Sequence, residues 1–516
     1  MNNRLEIKTL CFTMEDIKHF SQISLDRNPL HISREYSRKT PYGQPVVFGV
    51  LCGIASMGFL PERSGQIVSK VIMDFYGPIL LGVDYQVVLK KNHTSKVDIS
   101  VYDGWREMLS LSINYLDLDK DITQFNDYNN TEGVKAVTNI SITRDLKEFE
   151  EGITVEGDYM PSLQEIKSLA QKYNLLNKGI TLCQISSLMC CSYIVGMELP
   201  GTNALFSKLD IDFTDLNTTG QNSLHYNAYS ENFDKRFNLL NICGCISNND
   251  KEFARVKLSS FVRKQPSKLT DQYNNIETSS ILKGKVALVT GASRGLGSAI
   301  TKSLVMRGCT VLVNYFSSHK EAEELKENLK DTEGKVVLVP GDISDLDYCE
   351  KLKDQIEKEF GKLDYLILNA TPSLLPLWLE PSGLQRIHDY LIRSIKISSV
   401  PMAVFNELLS KSSGKQIFIS SSAVKEATAD WPHYVAAKSA IEGLVRTAAL
   451  EYPDVQYSIV RFKKLLTDLT NTPMGSKGAI SPDLAANELV EKINSLSGNR
   501  GEIVIFEFNE NKELIK

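Results

Sequence analysis

The run Val286-Ala287-Leu288-Val289-Thr290, followed directly by Gly291-Ala292-Ser293-Arg294-Gly295-Leu296-Gly297, constrains this chain more than any other feature. A short, wholly apolar strand has both faces covered, which is the habit of a parallel sheet with helices on both sides. Glycines after such a strand let the backbone turn tightly and let a pyrophosphate approach the first turn of the next helix. The spacing predicts a helix from Gly297. Val311 to Asn314, Val336 to Pro340, Tyr365 to Leu368 and Gln416 to Ser420 read as further buried strands separated by helix-length stretches. That alternation predicts an α/β doubly wound parallel sheet over residues 281–516.

The residues before it follow another rhythm. Segments 1–120 and 151–265 share one layout, with polar connections at 121–150 and 266–280. Each begins with an amphipathic helix, Met14 to Ile23 and Leu163 to Tyr173. Each continues with a longer apolar helix, Phe48 to Leu60 and Ile180 to Met197. Alternating strands close each segment: Val68 to Phe75 and Asp84 to Lys90 in the first, Ala204 to Phe213 and Arg236 to Cys245 in the second. A long helix wrapped by an antiparallel sheet is the α+β hotdog arrangement, and two in tandem would pair their sheets edge to edge, covering strand edges that would otherwise be exposed.

Near the start, Asp26-Arg27-Asn28-Pro29-Leu30-His31 sets a carboxylate and an imidazole five residues apart. Pro29 fixes its own backbone and disfavours helix at Asn28, so the segment reads as a turn that brings the two side chains together. Such a pair sharing one water can take a proton from one position and return it to another. Pro45-Val46-Val47-Phe48-Gly49-Val50-Leu51 supplies a helix N-terminus whose N–H groups can hold enolate-like charge on a thioester oxygen, with Gly49 allowing close approach. The segment resembles the MaoC-like, R-specific enoyl-CoA hydratase/dehydratase family over roughly residues 5–116. The resemblance implies that Asp26 and His31 are the catalytic pair and Gly49 the oxyanion donor. Ser33 stands where members often carry an acid. The second segment has no such pair. His225 lies on a predicted strand without an acidic neighbour and reads as structural, and the segment would shape an acyl tunnel while remaining catalytically silent.

Downstream of the glycine turn, Tyr434-Val435-Ala436-Ala437-Lys438 follows Ser421 by 13 residues. With the strand–turn–helix context these features resemble the short-chain dehydrogenase/reductase family, a Rossmann fold, from 283 to about 508, most closely its 3-oxoacyl reductase branch. The resemblance implies that Tyr434 protonates a carbonyl oxygen as hydride arrives. It implies further that Lys438 lowers the tyrosine's pKa and holds the nicotinamide ribose, and that Ser421 hydrogen-bonds the carbonyl. Gly291, Ser293, Arg294, Gly295, Leu296, Gly297, Asn314, Ser317, Asp342, Ile343, Asn369, Ala370 and Thr467 would complete the cofactor site. Members that use NAD place an acid after the second strand to hold the ribose hydroxyls. This chain has Asn314-Tyr315-Phe316-Ser317-Ser318 there, while Arg294 is placed to pair with a 2′-phosphate, so the expected cofactor is NADP(H). Three departures stand out: Leu368-Asn369-Ala370-Thr371 for Asn-Asn-Ala-Gly, Ser394 at the asparagine of the proton relay, and Arg461-Phe462 for a Pro-Gly pair.

Together the two signatures describe consecutive steps of acyl-chain chemistry. The expected activity is a bifunctional ketoreductase–dehydratase acting on an acyl thioester of an acyl carrier protein or coenzyme A. The reverse flow, hydration followed by oxidation, and a chain with one inactive scaffolding module are the alternatives. A net charge of -5 argues against nucleic acid as partner. No run of about 18 apolar residues suggests a membrane span, and Met1 to Glu6 lacks a signal peptide's apolar stretch. The nine cysteines show no Cys-x-x-Cys pair and read as reduced thiols of a cytoplasmic protein, with no metal site. Lys463-Lys464 reads as a solvated pair. By resemblance alone, a dimer or tetramer is expected.

Overall fold

The computed structural model describes residues 7–118, 140–216, 223–248, 251–263, 278–471, 475, 477–496, 501–508, 511 and 513–516. They belong to two compact units that divide between residues 265 and 266.

The first unit is built on one antiparallel sheet of ten strands: β1 (Ile7–Leu10), β2 (Gln66–Phe75), β3 (Tyr85–Asn92), β4 (Lys96–Asp103), β5 (Arg106–Asp117), β6 (Thr154–Tyr159), β7 (Ala204–Phe213), β8 (Leu224–Asp234), β9 (Leu239–Asn248) and β10 (Lys251–Val262). The order β1-β3-β4-β5-β2-β7-β10-β9-β8-β6 is one five-strand pattern used twice and joined through β2 and β7. The halves therefore meet edge to edge, and neither leaves its β2 or β7 backbone unpaired. Between the first two strands of each half runs an apolar helix, Gly49–Met57 or Leu182–Tyr193, buried along nearly its whole length. A helix enclosed by a sheet is apolar all round. Thr181 and Gln184 form a capping box at the second helix, and Gln184 Nε2 donates to the Val68 carbonyl at 2.6 Å, fastening that helix to β2.

Several expectations shift. The second long helix ends at Tyr193 and continues as a π-helical turn, Ile194–Glu198. The strand placed at Arg236 to Cys245 is β9 and starts at Leu239, because Arg236 bonds back to Asp234 in a turn closed by Asn238 at φ 49°. His225 does have an acidic neighbour: β8 pairs with β6 and sets it opposite Asp158, with His225 Nδ1 3.0 Å from Asp158 Oδ1 on the exposed face. The end of the 121–150 connection is anchored, since Ser141 Oγ donates to the Gly196 carbonyl at 2.7 Å and Thr143 bridges to Gly201. Residues 119–139, and 264–277 of the second connection, lie outside the described residues.

The second unit is a sheet of eight strands: β11 (Val286–Val289), β12 (Thr310–Tyr315), β13 (Lys335–Pro340), β14 (Tyr365–Leu368), β15 (Lys415–Ser421), β16 (Gln456–Phe462), β17 (Ile503–Phe508) and β18 (Leu514–Ile515). Their order is β13-β12-β11-β14-β15-β16-β17-β18, parallel except for β18. All residues of β11 and β14 are buried, as strands covered on both faces require. The chain leaves β11 toward β12 on one side and reaches β14 on the other. This makes the strand ends beside β11 and β14 the switch point where such sheets bind ligands. The helix after the glycine turn starts at Gly295, two residues before the expected Gly297.

The β2–β7 seam is a shared core, with Ile211 fully buried opposite Val71. Ile211→Ala is expected to destabilise the first unit by about 3 kcal/mol. Urea unfolding checks this, and an unchanged midpoint would show that the seam carries no stability.

Candidate active sites

In the second unit, Thr290 ties the ends of β11 and β14 together. Its Oγ1 accepts from the backbone N–H groups of Asn369 and Ala370, each at 3.0 Å. Asn369 Nδ2 donates in return to the carbonyls of Thr290 at 3.1 Å and Gly291 at 3.0 Å. Gly291 and Gly295 adopt φ of 62° and 55°, the left-handed region in which a side chain is strained. A Cβ on Gly291 would stand 3.0 Å from the Ala370 Cα, and one on Gly297 would overlap the Gly291 carbonyl oxygen. Ser293 and Leu296 are buried within the turn. Arg294, at the N-cap of the Gly295–Val305 helix, makes no side-chain cap, so the first-turn N–H groups stay available to an anion. A cradle without room for Cβ atoms, opening onto a helix N-terminus, fits the pyrophosphate of a nicotinamide dinucleotide.

Around this cradle the expected residues fare differently. Thr467 lies over the turn, its Cγ2 3.7 Å from where a Gly295 Cβ would be. Arg294 is not an unpaired cation: its Nη1 lies 3.5 Å from Asp468 Oδ2. Asn314 departs from the expected cofactor role, because its Nδ2 points inward, 3.2 Å from the carbonyls of Val339 and Gly341 and from the Tyr348 hydroxyl. Ser317 is exposed beyond β12. Asp342 accepts from Ser344 and, at 2.8 Å, from Arg393; against the upward pull of burial, these bonds hold its carboxyl below the usual range. Ile343 packs in the core.

Tyr434 and Lys438 lie one turn apart on the Pro432–Glu451 helix, facing the end of β15. Burial raises the Tyr434 phenol above its ordinary value while a hydrogen bond with Ser421 opposes the rise. Lys438 is buried; its Nζ donates to the Ile419 carbonyl at 2.7 Å and lies 5.8 Å from the centre of the Tyr434 ring. Burial lowers its pKa to about 8, with the Glu442 charge opposing. Ser394, on the Leu384–Lys411 helix, is buried, and its Oγ has no hydrogen-bond partner among the described residues. With Thr371, Tyr390, Ser398, Tyr434 and Lys438 it lines a cavity with room for about one water. The structure thus brings Ser394, Tyr434 and Lys438 to one cavity and Ser421 to the same tyrosine. Tyr390, Ser398 and Glu442 were not foreseen. Arg461, conspicuous in an apolar strand, was the signal that could have revealed Glu442.

In the first unit Asp26 is buried and His31 half-buried, and no hydrogen bond joins them. Asp26 Oδ1 accepts from the Asn28 N–H at 3.0 Å and Oδ2 from Ser192 Oγ at 2.7 Å. Burial pushes its carboxyl up to about 7 against those two bonds. His31 Nδ1 donates to the Val46 carbonyl at 2.7 Å, which leaves Nε2 as the basic nitrogen. Its ring stacks on Phe48 at 3.8 Å, and burial lowers its pKa to about 4. Asn28 Nδ2 donates to the Gly196 carbonyl at 2.9 Å, and a Cβ on Gly196 would press on the Asp26 carboxylate. Ser192 and the π-helical turn at Gly196 belong to the second half, so that half takes part in holding Asp26, although it has no acid–imidazole pair of its own. No local pattern around Ser192 announces this. Gly49 starts its helix as expected, and a Cβ there would strike the Phe75 ring at 2.8 Å.

Gly297→Ala is expected to weaken nicotinamide dinucleotide binding by at least about tenfold and to lower the melting temperature, because the methyl group displaces the turn. A fluorescence titration reads the first effect, and unaltered affinity would show that the turn does not hold the nucleotide.

Comparison with known proteins bears on the second unit. Residues 285–480 match the family model described as short chain dehydrogenase. Over 89 residues the chain is 44% identical to versicolorin reductase stcU of Emericella nidulans, covering 17% of this chain and 34% of that protein. It is 29% identical over 176 residues to the hydroxynaphthalene reductase-like protein Arp2 of Metarhizium robertsii, covering 34% of this chain and 65% of that one. The matches thus span less than two thirds of these relatives' own lengths. Among solved structures, an alcohol dehydrogenase from the archaeon Thermococcus sibiricus complexed with 5-hydroxy-NADP aligns at a TM-score of 0.39 and 25% identity, over 43% of this chain and 95% of that one. No described helix is long and apolar enough to cross a membrane. Residues 285–480 are a short-chain dehydrogenase domain.

Proposed function

We propose that the chain reduces a 3-oxoacyl thioester to the (R)-3-hydroxyacyl thioester and then dehydrates it to the trans-2-enoyl form, in fatty acid or polyketide synthesis. The observation that carries the first step is the joint placement of Tyr434, Lys438 and Ser421 at the strand end beside the glycine cradle. NADPH, when bound, supplies the hydride. Tyr434 gives its proton to the carbonyl oxygen and Ser421 donates a hydrogen bond to the same oxygen. Lys438, fixed on the Ile419 carbonyl, keeps a positive charge under the phenol and favours release of its proton. Ser394 and Ser398 can seat a water that returns a proton to the centre from the cavity. The choice of NADPH over NADH rests on the missing acid after β12 and on Arg294, which would leave Asp468 for a 2′-phosphate.

The second step belongs to a hotdog-type site in the first unit, a reading supported by the repeated five-strand pattern and its enclosed helices. Between about pH 4 and about pH 7 the site holds a neutral imidazole and a protonated carboxyl together. His31 Nε2 takes the proton from the carbon next to the thioester, and the Asp26 carboxyl gives its proton to the departing hydroxyl, which leaves as water. The N–H groups at the start of the Gly49–Met57 helix face the charge that develops on the thioester oxygen. The acyl group would be carried by coenzyme A or an acyl carrier protein, and the chain would act as a homo-oligomer.

Mass spectrometry of a synthetic 3-oxoacyl pantetheine incubated with NADPH is expected to show a gain of two hydrogens followed by loss of water. Tyr434→Phe should slow the first step on the order of a hundredfold or more and spare dehydration of added 3-hydroxyacyl substrate. Asp26→Asn should do the reverse. If neither substitution alters its step, the reading fails for that unit. For dehydration, kcat/KM should fall as pH drops through about 4, where His31 takes up a proton, and as pH rises through about 7, where Asp26 loses one. A profile flat from pH 5 to 9 would contradict these roles.

A further inference from the structure

Three residues on one face of the Pro432–Glu451 helix, each a turn apart, reach three neighbouring residues at the end of β15. Tyr434 faces Ser421; Lys438 Nζ donates to the Ile419 carbonyl at 2.7 Å; Glu442 Oε1 accepts from Ser420 Oγ at 2.7 Å. The reductase reading gives roles to the first two rungs and none to the third. Glu442 is nonetheless among the most heavily bonded side chains in the unit. Its carboxylate is 1% exposed and accepts from Arg461 twice, Nε at 2.9 Å and Nη2 at 2.6 Å, and from Arg446 at 3.2 Å. Arg461 stands on β16 directly opposite Ser420, and its Nη1 donates to Glu507 at 2.7 Å; Glu507 in turn pairs with Lys425 at 2.8 Å.

Stability does not explain this arrangement. Removing two charges from water costs several kcal/mol per ion, and apolar side chains of similar volume usually serve a core at least as well. The surrounding residues of β16, Ile459, Val460 and Phe462, are such side chains. The ion pair's position is what distinguishes it: it clamps the residue preceding Ser421 and lies one turn below Lys438. The groups facing Lys438 are the Tyr434 and Phe418 rings, with Nζ 5.8 and 4.9 Å from their centres, and the Glu442 carboxylate acts on its charge.

We propose that Glu442, buttressed by Arg461, is a positioning residue of the hydride-transfer centre that holds the end of β15 and the Lys438 ammonium in register beneath Tyr434. This inference rests on the reductase reading. A buried ammonium loses its proton more readily once the neighbouring carboxylate charge is gone. Glu442→Gln keeps a hydrogen-bond acceptor for Ser420 and Arg461 while deleting that charge. The double substitution Glu442→Leu with Arg461→Leu removes both charges and guards against misfolding from an unpaired arginine.

NADPH fluorescence titrations from pH 6 to 10 provide a readout independent of turnover. In the parent, binding should weaken as pH rises through about 8, where Lys438 loses its proton. In both variants the fall should come about one pH unit earlier, giving roughly fivefold weaker binding at the parent's midpoint and about tenfold above it, with the double variant's melting temperature near the parent's. The pH profile of reduction should lose its basic limb early by the same amount. A pH dependence identical to the parent's in both folded variants overturns the proposal and leaves the reductase reading intact. A parent chain that binds no NADPH overturns the reductase reading, and this inference with it.

Discussion

Ionisable groups taken out of water are the constraint on which both units depend. Desolvation favours whichever protonation state carries no charge, so it moves acids and bases in opposite directions. In the second unit it brings a lysine down to about 8; in the first it lifts an aspartate to about 7 and depresses a histidine to about 4. The lysine and aspartate shifts bring their titrations toward neutrality, while the histidine's moves away from it and keeps the imidazole uncharged there. The packing that produces these shifts is the ordinary apolar core of each sheet: Phe418 beneath Lys438, Phe48 against His31.

Burial sets the charge state but not the direction in which a group points. That is decided by partners on rigid elements. The Ile419 carbonyl at the end of β15 takes the Lys438 ammonium, and the Val46 carbonyl takes one nitrogen of His31 and so frees the other. Asp26 is held from one side by the backbone of its own turn and from the other by Ser192. Groups anchored to strands and helices in this way keep their geometry better than groups carried on loops. Thr290 and Asn369 do the same for the glycine turn, bonding β11 to β14 so that the cradle is formed by the sheet itself.

Much of this could be read along the chain, and the exceptions have a common cause. Apolar runs located β14 and β7 to the residue, since burial on both faces or strict alternation leaves a periodic trace. The helix after the glycine turn starts two residues before the position the spacing predicts, because the glycine that opens it has positive φ and reads as loop. His225 has no acid near it along the chain, because Asp158 is brought opposite it only when β6 pairs with β8. Asn314 carries the right amide in the right stretch, but its side chain turns toward Val339 and Gly341, carbonyls about 25 residues away.

By itself, the sequence determined the long helices, the buried strands and the strand–glycine–helix turn, because these depend on local periodicity and short spacing; the segment around Asp26 and His31 reads as a turn, yet Pro29–Ile32 is a short helix with Asn28 as its cap. Only the tertiary structure decided which side chains from distant segments meet: Ser192 on Asp26, Arg461 on Glu442, Asp468 on Arg294, Ser394 at the cavity beside Tyr434. Those contacts span from 19 to 174 residues, and strand order and helix rotation set them. Neither leaves a mark in local residue order, since the same alternation of apolar and polar positions is compatible with many pairings of the strands.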